Sequence, residues 1–304
     1  MSVINTIEYN QKQAAELDKK LTQGAVTGFM EDPTLRAKFV GAKTVLVPEL
    51  EMTGMGDYDR KNGFAKGAVD ITNTPFTLQQ DRGTTFTIDD QDMDESGAAV
   101  TMANAMATFV EDHVVPEVDA YVLSKIAGMA NEAAQTITGT PATEAYKMLV
   151  EAIAKVQNKV GYNKELVAFV DGTFYAALNS TPEISRHLVT GEFKHGEMNT
   201  MVKKLNGVAI LPVPDDRMKT AYTFYPGDVN GESAGGFEPT GAAKSIGLIV
   251  MPKKAASLIK KTAKTRIFTP AQNQTADAWK GDYRIYYDVV VKNSQKKGIY
   301  VYTY

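Results

Sequence analysis

Across residues 95–131 the apolar side chains Met102, Met106, Phe109, Val110, Val114, Val118, Val122 and Ile126 recur three and four residues apart, the spacing that lines them along one stripe of an α-helix. One long amphipathic helix accounts for the pattern. Pro116 falls inside it and is expected to bend or split the helix, because proline removes one backbone hydrogen bond and crowds the preceding turn. Strand-like segments precede and follow this helix, so the chain reads as α+β.

The first forty or so residues are polar, with apolar positions scattered at Ile4, Ile7, Leu17, Leu21, Val26, Phe29, Leu35 and Phe39. That spacing is too irregular for a compact subdomain and predicts an extended arm carrying short helices. From Lys43 the texture becomes strand-like through KTVLVPEL, GAVDITNTPFTLQQD and GTTFTIDDQD. Val69, Ile71, Phe76, Leu78, Phe86 and Ile88 alternate with polar residues, the period of a strand with one wet face. Val69, Ile71, Phe76 and Leu78 are expected to form one face of a protruding ribbon, and Asn62-Gly63 is its best turn signal.

Beyond the long helix, Gly139-Thr140-Pro141 punctuates the chain, and a second helix is expected over 143–160, ended by Gly161. LVAFVDG suits a buried strand, and a helix starts at about Thr173. A helix over 183–189 and strands in GVAILPVP and SIGLIVMP complete a compact α/β region at about 140–250. GDVNGESAGGFEPTG reads as an exposed loop. TRIFTP, DYRIYYDVVVKN and KKGIYVYTY are strand-rich, and the last is expected to close a sheet.

Composition excludes several functions. Lys+Arg 33 against Asp+Glu 36 gives a net charge of -3, which argues against a protein whose whole surface grips nucleic acid. The chain has no cysteine, which removes disulfides, thiolate catalysis and cysteine-ligated zinc, and fits a reducing cytosol. No signal peptide and no membrane-spanning run of apolar residues are visible.

The motifs that resemble chemistry fail on inspection. GMGDYDRKNGFAKG has the ingredients of a phosphate loop, but Asp59 stands where a dinucleotide fingerprint needs its third glycine, and no helix pattern follows. A P-loop needs Gly-Lys-Ser/Thr where Arg60-Lys61-Asn62-Gly63 stands. Asp90, Asp92 and Asp94 match the first three ligand positions of a calcium loop, yet Glu95 replaces its glycine and Thr101 its closing glutamate. These carboxylates are better placed at the N-terminus of the long helix, with Asp94 or Ser96 as cap. His113, His187 and His195 fit no zinc or hydrolase motif. The basic cluster Lys253, Lys254, Lys260, Lys261, Lys264 and Arg266 reads as a solvated face or an ion-paired contact. No catalytic, cofactor-binding or metal-binding residue is assigned.

An arm and a protruding hairpin bury little by themselves and make physical sense if partners cover them. This order of elements resembles the Hong Kong ninety-seven type major capsid fold of tailed bacteriophages. Closer similarity to prophage capsid proteins of Gram-positive bacteria lies in PELEMTGMGDYDRKNGFAKGAVDITNTPFTLQQDRGTTFTIDDQDMDES and TRIFTPAQNQTADAWKGDYRIYYDVVVKNSQKKGIYVYTY. The resemblance implies an N-terminal arm (1–42), an extended loop (43–92) lying over an adjacent subunit, and a peripheral domain with a spine helix (93–138). An axial α/β domain (139–248) and a return to the peripheral sheet (249–304) follow. It implies Asp57, Tyr58, Arg60, Lys61, Phe64, Phe76 and Arg82 as contacts between subunits. It further implies a non-enzymatic coat protein of the virion head, assembled in the host bacterial cytoplasm from hexamers and pentamers of itself. Its partners would be portal and scaffold proteins and non-specifically contacted DNA, with no membrane. Lys61 or Lys66 and Asn273 or Asn293 offer groups for a covalent crosslink, but nothing in the sequence marks a pair. The rival readings are a non-viral encapsulating shell of the same fold and a cytosolic α/β enzyme using residues 140–250 with the loop 226–241 over its pocket.

Overall fold

The computed structural model describes residues 16–304, apart from 18, 19, 22, 33–38, 41, 42, 62, 96–100, 182–187, 196, 197 and 228–234. Strands β1 (Phe39–Val40), β2 (Thr44–Met52), β3 (Val69–Thr77) and β4 (Gln80–Asp89) come first, followed by a short helix α1 (Asp90–Glu95). The acidic run thus forms its own helix instead of opening the long one. Asp90 accepts a hydrogen bond from the Trp279 indole at 2.9 Å.

The long helical segment has three parts: α2 (Met102–Phe109), a π-helical turn (Val110–Val114) and α3 (Val115–Glu132). Its cap is Thr101, whose hydroxyl accepts from the Asn104 N–H at 3.2 Å, and not Asp94; Ser96 lies outside the described residues. The break expected at Pro116 is the π turn. There the Val115 N–H reaches back to the Val110 carbonyl, and Pro116 falls in the first turn of α3, where its missing N–H costs least.

α4 (Pro141–Val160) ends at Gly161, which has φ +88°, a conformation glycine adopts without strain. Then come β5 (Leu166–Val170), α5 (Gly172–Ser180), β6 (Leu188–His195), β7 (Met198–Leu205), β8 (Val208–Pro212), β9 (Tyr222–Pro226), β10 (Gly235–Pro239) and β11 (Ile246–Pro252). The chain finishes with β12 (Ala256–Phe268), β13 (Ala278–Val291), α6 (Asn293–Lys296) and β14 (Tyr300–Thr303).

A six-stranded sheet runs β14-β11-β5-β8-β7-β6, and a three-stranded one runs β12-β13-β4. The spine formed by α2 and α3 lies between them. β5 shows why LVAFV is apolar throughout: Leu166, Ala168 and Val170 pack under α4 and α5, while Val167 and Phe169 join the core around the spine. Tyr283, Ile285 and Tyr287 of β13 close that core from the other side.

Three expectations are revised. Leu188 and Val189, assigned to a helix over 183–189, begin β6, because they pair with Leu205 and Lys204 of β7; residues 182–187 lie outside the described ones. The glycine-rich segment expected to be a loop holds β10, which pairs with β9 and places Phe237 against the rings of Phe224 and Tyr222. The chain end does close a sheet, but β14 pairs with β11 of the six-stranded sheet.

The N-terminal arm differs as well. Leu17, Leu21, Ala25 and Met30 are buried in the main core of their own subunit, so no partner is needed to cover this stretch. The anchor is Asp119 of α3. Its carboxylate accepts from the N–H groups of Val26 and Thr27 at 3.0 Å each, and from the Thr27 hydroxyl at 2.7 Å. Arg217 pairs with it at 3.1 Å. Burial pushes the Asp119 carboxyl above the usual carboxylate range, against the pull of these donors. A second tie joins Glu31 to the buried Lys260 of β12 at 2.6 Å.

Arg82, expected at a subunit contact, works inside its own subunit. Its Nε and Nη2 donate to the Glu117 carboxylate at 2.7 and 3.2 Å, and Nη1 and Nη2 donate to the carbonyls of Tyr225 (2.7 Å) and Gly236 (3.0 Å). The paired strands β9 and β10 are thereby held to β4 and the spine. Lysine cannot reproduce this planar fork. An Arg82→Lys variant is expected to lose about 2 kcal/mol in denaturant unfolding, the scale of charge-assisted hydrogen bonds. Amide exchange at Tyr225 and Phe237 should accelerate while that at Phe169 stays unchanged; equal protection at all three would refute the clasp.

Candidate assembly surface

β2 and β3 form the protruding ribbon, paired from Thr44–Thr77 at the root to Met52–Val69 at the far end. Because side chains alternate, the directly opposed pairs Leu50–Ile71 and Met52–Val69 share one face, and Glu49–Thr72 and Glu51–Asp70 share the other. The second face begins at the root with Val45 and Val47, which pack with Leu78, Ile259, Tyr286 and Val290 in a small core of their own. Farther out the same face turns acidic. Glu49 fastens it by accepting from the Asn293 backbone N–H at 3.1 Å and side-chain amide at 3.2 Å.

The opposite face has no cover among the described residues. Leu50, Met52, Val69 and Ile71 are between 56% and 70% exposed, although all four are large aliphatic side chains. A contiguous apolar patch of this kind marks a contact surface more often than chance exposure does. The parity of the strand also corrects the expected ribbon face: Val69 and Ile71 point outward, whereas Phe76 lies on the other side, against its own subunit beneath the Lys125 ammonium at 5.1 Å.

The tip, residues 53–68, is a turn structure between strands. Thr53 and Ala68 close it through three hydrogen bonds: the Thr53 N–H and hydroxyl donate to the Ala68 carbonyl at 3.1 and 2.9 Å, and the Ala68 N–H donates to the Thr53 hydroxyl oxygen. Asp59 and Gly63 bridge at 3.1 and 2.7 Å, and Gly63 has φ +79°. The anticipated Asn62-Gly63 turn is therefore represented by its glycine, and Asn62 lies outside the described residues. Tyr58 meets Phe64 edge to face at 5.1 Å, with both rings in solvent.

Of the seven anticipated contacts, Asp57, Tyr58, Arg60, Lys61 and Phe64 are exposed together at this tip. Phe76 and Arg82 stand apart at the root and in β4. The aliphatic face at Leu50 and Met52 was missed, although its signal, two apolar residues at i and i+2 opposite a second such pair, is legible in the sequence.

No known family model matches the chain, and no curated protein matches its sequence. Solved structures do match. A chain of the bacteriophage PhiM1 mature capsid superposes with a TM-score of 0.55 at 13% identity, covering 88% of this chain and 83% of that one. A virus-like particle from Pyrococcus furiosus gives 0.55 at 11% identity, with 97% and 99% covered. The holo-SrpI encapsulin complex from Synechococcus elongatus PCC 7942 gives 0.51 at 11% identity, with 87% and 82% covered. Spine helix, projecting ribbon and two flanking sheets, matched over most of each chain, give this protein the Hong Kong ninety-seven type capsid fold.

Proposed function

We propose that this chain is a non-enzymatic shell protein, the major capsid protein of a tailed bacteriophage, which assembles in the host bacterial cytoplasm into an icosahedral head enclosing double-stranded DNA. The observation that carries the reading is the uncovered aliphatic face of the ribbon, on a fold shared with proteins that form closed particles. Copies of the chain in hexamers and pentamers supply the missing cover, each ribbon lying across its neighbour. Asp57, Tyr58, Arg60, Lys61 and Phe64 at the tip meet the adjoining subunit. The resemblance adds a portal and a separate scaffold as partners. By the same mapping, residues 1–42 serve as arm, 43–92 as extended loop, 93–138 and 249–304 as peripheral domain, and 139–248 as axial domain.

A second reading, an encapsulating shell with protein cargo, is favoured by the likeness to the encapsulin and the virus-like particle. Particles isolated from the native host, imaged and analysed for content, separate the two. Large closed shells containing double-stranded DNA are expected; shells filled with protein select the second reading, and small open oligomers contradict both.

A further inference from the structure

The basic cluster of the sequence is divided by the fold. Lys253 pairs with Glu165 at 3.0 Å, and Lys260 is buried against Glu31 at 2.6 Å. Lys261, Lys264 and Arg266 instead meet Lys43 from the ribbon root and Arg284 of β13, around a depression of about 370 Å³ on the face of the three-stranded sheet turned away from the spine. Lys264 stands opposite Arg284, and Arg266 opposite Asp282, in adjacent strands. The ribbon root covers this sheet face only at its other end, around Ile259 and Val290.

Two carboxylates enter the depression, and both are engaged. Arg284 donates to Asp81 at 2.8 and 2.6 Å and holds that carboxyl below its usual range. Asp282 accepts from the Thr85 hydroxyl at 2.6 Å and lies 3.7 Å from Lys280. Among the described residues no carboxylate pairs with Lys43, Lys264 or Arg266. Five cations therefore face two carboxylates, in a chain whose net charge is -3. Such like charges repel one another in the free protein, and a polyanion relieves several repulsions at once.

Arg and Lys donors suit phosphoryl oxygens. Side chains on one face of a strand repeat at about 6.6 Å, so Lys264 and Arg266 form a row suited to successive phosphates more than to a single anion. The acidic face of a neighbouring ribbon is the weaker candidate. Of its three carboxylates Glu49 is already held by Asn293, which leaves Glu51 and Asp70 against Lys43, Lys264 and Arg266.

We propose that this depression binds a chain of phosphates, the backbone of a nucleic acid. The site lies within one subunit, so it does not depend on the shell reading. The test measures fluorescence anisotropy of a short labelled DNA duplex with the full-length protein at several salt concentrations. The variants are Lys264→Gln/Arg266→Gln and a control, Lys159→Gln/Lys297→Gln, that removes equal charge elsewhere. The site variant should bind about tenfold more weakly and lose about 2 from the slope of log K against log salt, while the control matches wild type. Linear polyphosphate as competitor separates sources: displacement assigns the site to phosphate chains at large, and resistance assigns it to the duplex. Equal losses in both variants, or a site variant that binds as wild type, would overturn the proposal. So would a site variant that binds DNA normally and no longer assembles, because the occupant would then be the neighbouring ribbon.

Discussion

Exchanging Leu50, Met52, Val69 and Ile71 together for threonine should leave the subunit folded and remove the shell. Threonine keeps the strand propensity of the ribbon, so its pairing survives. What it removes is the aliphatic surface. Fully burying a side chain of this size is worth about 1.5–3 kcal/mol, and with roughly two thirds of each still exposed, each ribbon loses a gross contact on the order of 4–8 kcal/mol, repeated at every subunit. Association must also overcome lost rotational and translational freedom, so a deficit of that size empties the assembled state. None of the four contributes to a core of its own subunit, since all are exposed. Analytical ultracentrifugation beside circular dichroism reads both halves of the expectation. A cooperative melt with monomers or small capsomers is the expected outcome. Unchanged closed shells would show that this face is not the contact.

Asp119→Ala should destabilise the fold strongly. The carboxylate is fully buried and accepts three hydrogen bonds from Val26 and Thr27 besides the Arg217 pair. Removing it leaves two backbone donors and a guanidinium without their partner, a change that costs about 3–5 kcal/mol for a buried pair. A melting temperature lower by on the order of 10 °C is expected. Asp119→Asn is no rescue: both carboxylate oxygens accept from N–H groups, so an amide nitrogen on either side faces a donor. Protease accessibility near Leu21 should rise in both variants. A shift under about 1 kcal/mol would mean that apolar packing alone holds the segment.

The two periods of the chain were legible where one physical cause dominates. The spine stripe, the buried LVAFV strand, the helix end at Gly161 and the ribbon strands all follow from spacing or backbone chemistry, whereas the second helix starts at Pro141, two residues before its expected start. The rest depends on distant contacts. β10 was hidden because glycine is a poor strand former, and what recruits it is Phe237 stacking on Phe224, with the Gly236 carbonyl held by Arg82. The arm's attachment was hidden because Asp119, its anchor, lies in a helix far along the chain, although the buried residues Leu17, Leu21 and Ala25 are spaced four apart as on one face of a helix. The basic cluster read as one run, yet the strand bulge between Lys260 and Thr262 sends Lys260 inward to Glu31 and leaves Lys264 and Arg266 on the outer face. The exposed tip was legible through its aromatic and charged residues. The ribbon's aliphatic face was assigned with the wrong parity, since Val69 and Phe76 lie an odd number of positions apart and cannot share a face.

The central claim is that a second copy of the chain covers Leu50, Met52, Val69 and Ile71. It is tested most directly by placing a photo-crosslinking amino acid at Ile71 in particles assembled from an equal mixture of unlabelled and nitrogen-15 subunits. After irradiation, the masses of the crosslinked peptide pairs report which chains were joined. Pairs combining one labelled and one unlabelled peptide are expected, because the ribbon touches another subunit. Pairs of uniform label alone would place the ribbon on its own subunit and contradict the account.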